Sequence, residues 1–494
     1  MDRIPQEILD RIVSYITLQP GNDTSFRLSP FSTLSLDWQR AIEQQTFRYL
    51  HVTGDDLGNL GDIVVNQRRV YLRHLRLQVN FPDYDDELSN KYETDDERCA
   101  NNALAMTSLK RLLAVLSTWG PDSGSELSLQ LSFRSPGDRK KSLRWGGILE
   151  KRYEYSFVTL NGVDECAEAP CVTRFYAECD YRARRIEPRS LYNLMSRFPG
   201  AKSAGWYTVE PGVFTLLRQE LHDRFIMAVE SGSHCMPPIL DVEIEGPEYD
   251  YDHNLPNLIT PYTYDRFSSA FRQLSLGLTN FTFKGIADHS LLWPSPGQSL
   301  EPRWQNLVYL EVQLSLQSPS GKWYFRNADS QVGDVPRPPE APVYRPPGYY
   351  DTKDEIEAAI AYERAFEKPD SDSGYPCPAP RDQPNEELMV PLFTAFARAL
   401  GAMPSLKLAH IEFPNQDLDI TFFLSYALPG RVTTYESYLR EEERPLPTTP
   451  RLLAHTWDWR MDEDLEGMFR RAGAAVHGVE TAVRYLPPTP GCPL

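Results

Sequence analysis

Apolar residues first recur at helical spacing in the opening segment, where Ile4, Ile8, Leu9, Ile12, Val13 and Ile16 share one stripe and Glu7, Asp10 and Arg11 lie opposite. The pattern predicts a helix opening at Pro5, whose missing N–H costs nothing in a first turn, with Asp2 placed to cap it. Gln19-Pro20-Gly21-Asn22-Asp23 ends it. After Ser29-Pro30 a second stripe of Phe31, Leu34, Trp38, Ala41 and Ile42 continues to Phe47 and Leu50. Helices this short are marginal alone, so both stripes need cover from each other, from the following domain or from a partner.

Beyond residue 50 the period changes. A linking helix over residues 57–69 leads to alternating apolar residues at 72–79, and further strands are predicted at 127–133, 153–160, 172–177, 205–209, 240–244, 278–283, 308–316 and 407–413. Helices are predicted between them at 102–119, 190–198, 213–229, 264–274 and 391–400, with a last one at 464–475. Alternation of helix and strand predicts an α/β fold, with α+β the alternative. A single helix–strand unit cannot bury both its faces, so the units are expected to stack as an irregular solenoid. Residues 318–385 differ in kind, with Val335-Pro336-Arg337-Pro338-Pro339 and Tyr344-Arg345-Pro346-Pro347 marking a Pro-rich acidic insertion expected to be largely disordered, apart from a helix at 354–366. The expected domains are residues 1–50, 51–317 and 386–494, the last two being one body split by the insertion at 318–385.

The residues of the first segment carry a resemblance. Ile4-Pro5-Gln6-Glu7-Ile8-Leu9, followed by Ile12 and Tyr15-Ile16, resembles the Leu-Pro-x-Glu-Ile-Leu opening of an F-box. Leu34-Ser35-Leu36-Asp37-Trp38 is similar to the Val-Ser/Cys-Arg/Lys-x-Trp element of that motif, with Ile42 and Phe47 at its closing apolar positions. The departures are Ile4 in place of Leu, Leu36 in place of a basic residue, and a long connection through residues 19–28. The resemblance covers about a tenth of the chain and implies docking to a Skp-type adaptor, and through it a cullin, by way of Ile4, Pro5, Ile8, Leu9, Ile12, Leu34 and Trp38. Phrases such as Phe198-Pro199 and Met403-Pro404-Ser405-Leu406, in which a helix ends just before an apolar strand, resemble degenerate leucine-rich repeats, although the strand intervals are irregular. The overall layout is similar to that of fungal F-box proteins.

Composition narrows the options. The chain has 494 residues, 41% hydrophobic and 24% charged, enough for one small module and one large core. With 51 basic and 69 acidic residues its net charge is −18, the wrong sign for a surface that tracks nucleic acid or an anionic membrane. The densest basic group, Arg182, Arg184 and Arg185 beside Glu187, is expected to be a solvated face. The N-terminus lacks the basic-then-apolar pattern of a secretory signal and no stretch has the length of a membrane span, which places the protein in the cytoplasm or nucleus. Seven scattered cysteines make no disulfide framework, and Cys166, Cys171 and Cys179 lack the spacing of a zinc site. His74, His410 and His455 are expected to be packing or surface groups, and the acidic run 248–252 a solvated loop.

No phosphate-binding glycine loop, nucleophile elbow or His-Glu-x-x-His pair occurs. The sequence therefore predicts a non-catalytic adaptor with no cofactor and no metal: a substrate receptor of a Skp–cullin–F-box ubiquitin ligase that captures an unknown target protein through its larger domain. The alternatives are an F-box scaffold without ubiquitin transfer, or an enzyme of unrecognised type.

Overall fold

The computed structural model describes residues 4–18, 29–85, 88, 93–120, 126–141, 152–153, 156–177, 184–211, 215–232, 236–246, 256–297, 301–326, 383–415, 420–433 and 448–486. The predicted helix 354–366, both Pro-rich phrases, Arg182, Cys179 and the acidic run 248–252 lie outside these residues.

The first two stripes form α1 (Gln6–Leu18) and α2 (Leu36–Thr46), separated in the described chain by a 3-10 turn (Ser29–Thr33). Ser35 caps α2 by accepting from the Trp38 N–H at 3.2 Å. Leu9 and Val13 of α1 meet Ala41 and Ile42 of α2 in a small core of their own, against which Phe31 and Trp38 pack. No linker follows. Residues 47 and 48 connect α2 to β1 (Tyr49–Thr53), and the junction is pinned by Glu43–Arg68 at 2.7 Å and by the Arg68 guanidinium over the Phe47 ring at 4.8 Å. The Arg68 hydrogen bond holds the Glu43 carboxyl below its usual value.

The remainder is an α/β body on one twelve-stranded sheet whose strands follow chain order from end to end. After β1 come β2 (His74–Asn80), β3 (Leu127–Arg134), β4 (Val172–Ala177), β5 (Ser203–Val209), β6 (Ile239–Glu245), β7 (Asn280–Gly285) and β8 (Tyr309–Leu314), all parallel. β9 (Phe325–Arg326) and β10 (Gln383–Pro384) make a separate antiparallel pair that brackets residues 327–382. β11 (Leu408–Asn415) joins β8 in parallel, β12 (Ile420–Ala427) and β13 (Arg451–His455) pair antiparallel in turn, and β14 (Ala482–Tyr485) is parallel to β13.

The helices are α3 (Leu57–Ile63), α4 (Gln67–Tyr71), α5 (Asp95–Ser117), α6 (Pro136–Lys141), α7 (Pro188–Met195), α8 (Thr215–Ser231), α9 (Arg266–Ser275), α10 (Glu386–Gly401) and α11 (Glu463–His477). Register explains why they share one side. The row Leu50, Leu75, Leu129, Phe175, Ala204, Leu240, Phe281, Leu310 and Ala409 is apolar across nine strands, as is the next inward row from Val52 to Ile411. These ladders and the inner faces of the helices form one continuous core. The alternate positions lie on the opposite face of the sheet.

Several expectations need correction. The described residues of 153–160, namely 153 and 156–160, form no strand: Val158 makes only an isolated bridge to Ile186, and the Leu160 N–H donates to the Ser190 hydroxyl, so these apolar side chains are buried without a ladder. The linking helix is two short ones, α3 and α4. Residues 318–326 belong to the body, since Trp323, Tyr324 and Phe325 are buried and the Tyr324 hydroxyl donates to the Ala287 carbonyl at 2.7 Å. α5 begins at Asp95 because Thr94 and Glu97 form a reciprocal capping box. Pro391 falls inside α10, where burial of Met389, Leu392, Phe393 and Phe396 outweighs one missing hydrogen bond.

Candidate interaction surfaces

The residues predicted to dock an adaptor separate into two sets. Leu9 is 3% exposed and belongs to the module's own core, and Trp38 packs half-buried against that core. Ile4, Pro5, Ile8, Ile12 and Leu34 face outward. Ile8, Ile12 and Tyr15 succeed one another along one side of α1, with Ile4 just before the helix, while on the α2-facing side the Gln6 amide donates to the Asp37 carbonyl at 3.2 Å. Leu34 and Leu36, 63% and 70% exposed, stand open at the start of α2. The sequence reading did not single out Tyr15 and Leu36, although both lie within the quoted motif. A row of exposed apolar side chains along α1 is a surface suited to burial by another molecule.

A second surface lies on the face of the sheet opposite the helices. Its middle row runs His51, Arg76, Gln130 and Tyr176 over β1–β4, meets Gly205 on β5, and continues with Asp241, Thr282, Glu311 and His410. Charge is zoned along it. Over β1–β4 lies a depression of about 630 Å³ lined by Tyr49, His74, Arg76, Gln130, Arg174 and Tyr176, among others. The Tyr49 and His74 rings stack at 4.5 Å, and burial together with the charges of Arg174 and Arg48 holds the His74 imidazole below its usual pKa. The Nε–H of Arg174 is buried without an acceptor among the described residues. Gly205 leaves room here for the Tyr176 ring, which lies across it at 40% exposure, since a Cβ at that position would stand 2.6 Å from the ring and push it aside. Over β6–β11 the same face carries Asp241, Glu243, Glu245, Glu311 and Glu412, opposed by Lys284, 3.9 Å from Glu243, and by His410, 2.9 Å from Glu412. Burial, the hydrogen bond to Glu311 and the charges of Glu311, Asp241 and Glu412 together drive the Tyr309 hydroxyl far above its usual pKa.

Among the described residues, buried ionic clusters sit where chains leave the strands. In one, Arg184 bonds Glu93 at 2.9 Å and lies over the Tyr153 ring, while Tyr84 donates to Asp138 at 2.7 Å; burial raises the Asp138 carboxyl despite Arg184. Arg184 is thus an internal group rather than part of a solvated face, and Glu187 beside it is buried too, bonded by Arg189. In a second cluster, Asp265 caps α9 by accepting from the Phe267 and Ser268 N–H groups at 3.1 and 2.9 Å. Burial and the nearby Asp288 charge push its carboxyl up to about 6. A raised folded value means that the folded state holds the proton more tightly, so stability falls as pH climbs from the unfolded value of 3.8 through about 6. Asp265→Asn keeps a capping acceptor and removes the charge. The thermal midpoint of the native chain is expected to drop relative to this variant across that pH window, and a gap that does not change with pH would refute the assignment.

Chemistry is sparse elsewhere. Cys166 and Cys171 are buried thiols, the latter raised to about 11 by burial, and Cys99 is exposed. Among the described residues no group of three His, Cys, Asp or Glu side chains could hold a metal ion, and no helix is long and apolar enough to cross a membrane. The aromatic side chains of Trp206, Trp304, Trp323 and Tyr324 are buried in the core. Tyr49, Arg174 and Tyr176 were missed, although strand alternation around the inward Phe175 was signal enough to place Arg174 and Tyr176 on the opposite face. In comparisons with known proteins, no family model, curated protein or solved structure matches this chain.

Proposed function

We propose that this chain is the substrate-recognition subunit of a Skp–cullin–F-box ubiquitin ligase. The helical module is read as the F-box that docks the Skp-type adaptor, and the larger body as an irregular, leucine-rich-repeat-like solenoid that binds the target on its open sheet face. The observation that carries the reading is the exposure of Ile4, Ile8, Ile12 and Tyr15, and of Leu34 and Leu36, all on the motif residues that resemble an F-box. Each aliphatic anchor buried by a partner contributes about 1.5–3 kcal/mol, so the five aliphatic residues offset an association cost of several kcal/mol and leave sub-micromolar affinity. The strict chain order of parallel strands supports the solenoid half, because each helix–strand unit buries its faces only on its neighbours.

The mechanism is proximity. The junction at Glu43, Phe47 and Arg68 joins module and body without a linker, so a target on the sheet is presented at a set position relative to the docked ligase. No side chain of this chain then needs to react. The test is co-expression of the full chain with a Skp-type adaptor and a cullin: a complex of all three through size-exclusion chromatography is expected. Recovery of the chain alone would refute the docking reading, and adaptor without cullin would favour a scaffold that transfers no ubiquitin.

A further inference from the structure

The zoning of the open face constrains what the body can hold. The basic end and the acidic end sit on the same rows of one sheet, and neighbouring strands are about 4.8 Å apart. The cationic stretch over β1–β4 is therefore about 14 Å long, the acidic stretch over β6–β11 about the same, and two strand intervals separate them. Tyr176, laid across Gly205, marks the divide. A uniformly anionic strand does not fit this row, since nucleic acid carries charge along its whole length and would run from Arg76 and Arg174 onto Asp241, Glu243 and Glu311. An extended peptide rises about 3.3 Å per residue, so about four residues cover each zone and about twelve cover the row.

We propose that the open sheet face binds a protein segment of opposed charge blocks, with its acidic block in the depression over β1–β4 and its basic block over β6–β11. Arg76 and Arg174 meet the carboxylates, Tyr49 and Tyr176 flank them, and Asp241 and Glu243 meet the basic block. The two charge zones complement such a segment along a register that backbone pairing fixes. The inference deepens the target-capture half of the proposed function and rests on it. It is tested on the full chain without adaptor, so its failure leaves adaptor docking untouched and the reverse also holds.

The probe is a fluorescein-labelled peptide of about twelve residues with four Glu, a Gly/Ser spacer and four Lys, followed by anisotropy at low ionic strength. It is expected to bind at least about ten-fold more tightly than an uncharged Ser/Gln peptide of equal length. Arg76→Glu with Arg174→Glu should weaken it about ten-fold or more, and Asp241→Lys with Glu243→Lys should weaken it too while leaving a peptide that carries only the four-Glu block unaffected. The two pairs stand on different strands, so misfolding of one, seen by circular dichroism, leaves the other to decide. Undiminished binding by either folded pair overturns the proposal. So does displacement of the peptide by a single-stranded oligonucleotide at lower concentration than by unlabelled peptide, which would make the basic end a nucleic-acid site.

Discussion

Changing Ile8 and Ile12 together to aspartate is expected to abolish recovery of a Skp-type adaptor with the full-length chain while leaving its thermal unfolding unchanged. Both side chains are exposed on α1, and substitutions at such positions cost the folded chain at most about 0.5 kcal/mol. The complex loses far more. Two anchors worth about 1.5–3 kcal/mol each are removed, which is about a hundred- to ten-thousand-fold in affinity, before any cost of burying two carboxylates against an apolar partner. Leu9→Ala separates this from mere damage: Leu9 is internal to the module, so the change should cost about 2–5 kcal/mol of the module's stability. A doubly charged ridge that still brings down the adaptor would show that docking, if it occurs, uses another surface.

The second large effect lies in the body. Glu210 follows β5 and is buried with Arg218 and His222 of α8, the His222 Nε2 standing 2.6 Å from its carboxylate. Burial alone would raise this carboxyl, but the charges of Arg218 and His222, with the hydrogen bonds they make, reverse the effect and hold it below its usual value. Arg218→Ala strips away the main partner and leaves a buried charge behind. The expected loss is about 3–5 kcal/mol, read as a lower denaturant midpoint. Glu210→Gln combined with Arg218→Met removes both charges at similar volume and should return most of that loss. A double variant no more stable than Arg218→Ala would mean that the pair acts through packing instead. The sign with pH follows: a depressed folded value makes the contribution present above the unfolded value of 4.5 and lost as pH falls through the folded one. It runs opposite to the Asp265 contribution, so acid weakens one cluster while it relieves the other.

How much of this was legible can be judged element by element. The α1 and α2 stripes and eight of the strands were visible because each has an unbroken period, 3.6 in one case and 2 in the other. β1 was not, since Tyr49-Leu50-His51-Val52-Thr53 is short and carries only two inward residues, Leu50 and Val52. β12 and β13 were not either: their residues are buried on both faces from Phe422 to Ala427 and from Arg451 to His455, so no alternation marks them. Residues 156–160 show the opposite failure, an apolar run with strand composition whose backbone finds partners on neighbouring segments and meets no ladder among the described residues.

By itself the sequence determined the α/β class, the helical module at the start and the candidate ridge, because each rests on local periodicity and on a motif confined to a few tens of residues. Only the tertiary structure decided that Leu9 turns inward while Ile8 and Ile12 stay open, that Arg184 is an internal ion pair, and that Arg76, Arg174 and Tyr176 gather on one side of a sheet with Asp241 and Glu311 further along the same row. These are relations between residues far apart in the chain. They are set by which strands pair and in what register, and a single strand's alternation says which residues share a face but not which neighbours that face will have.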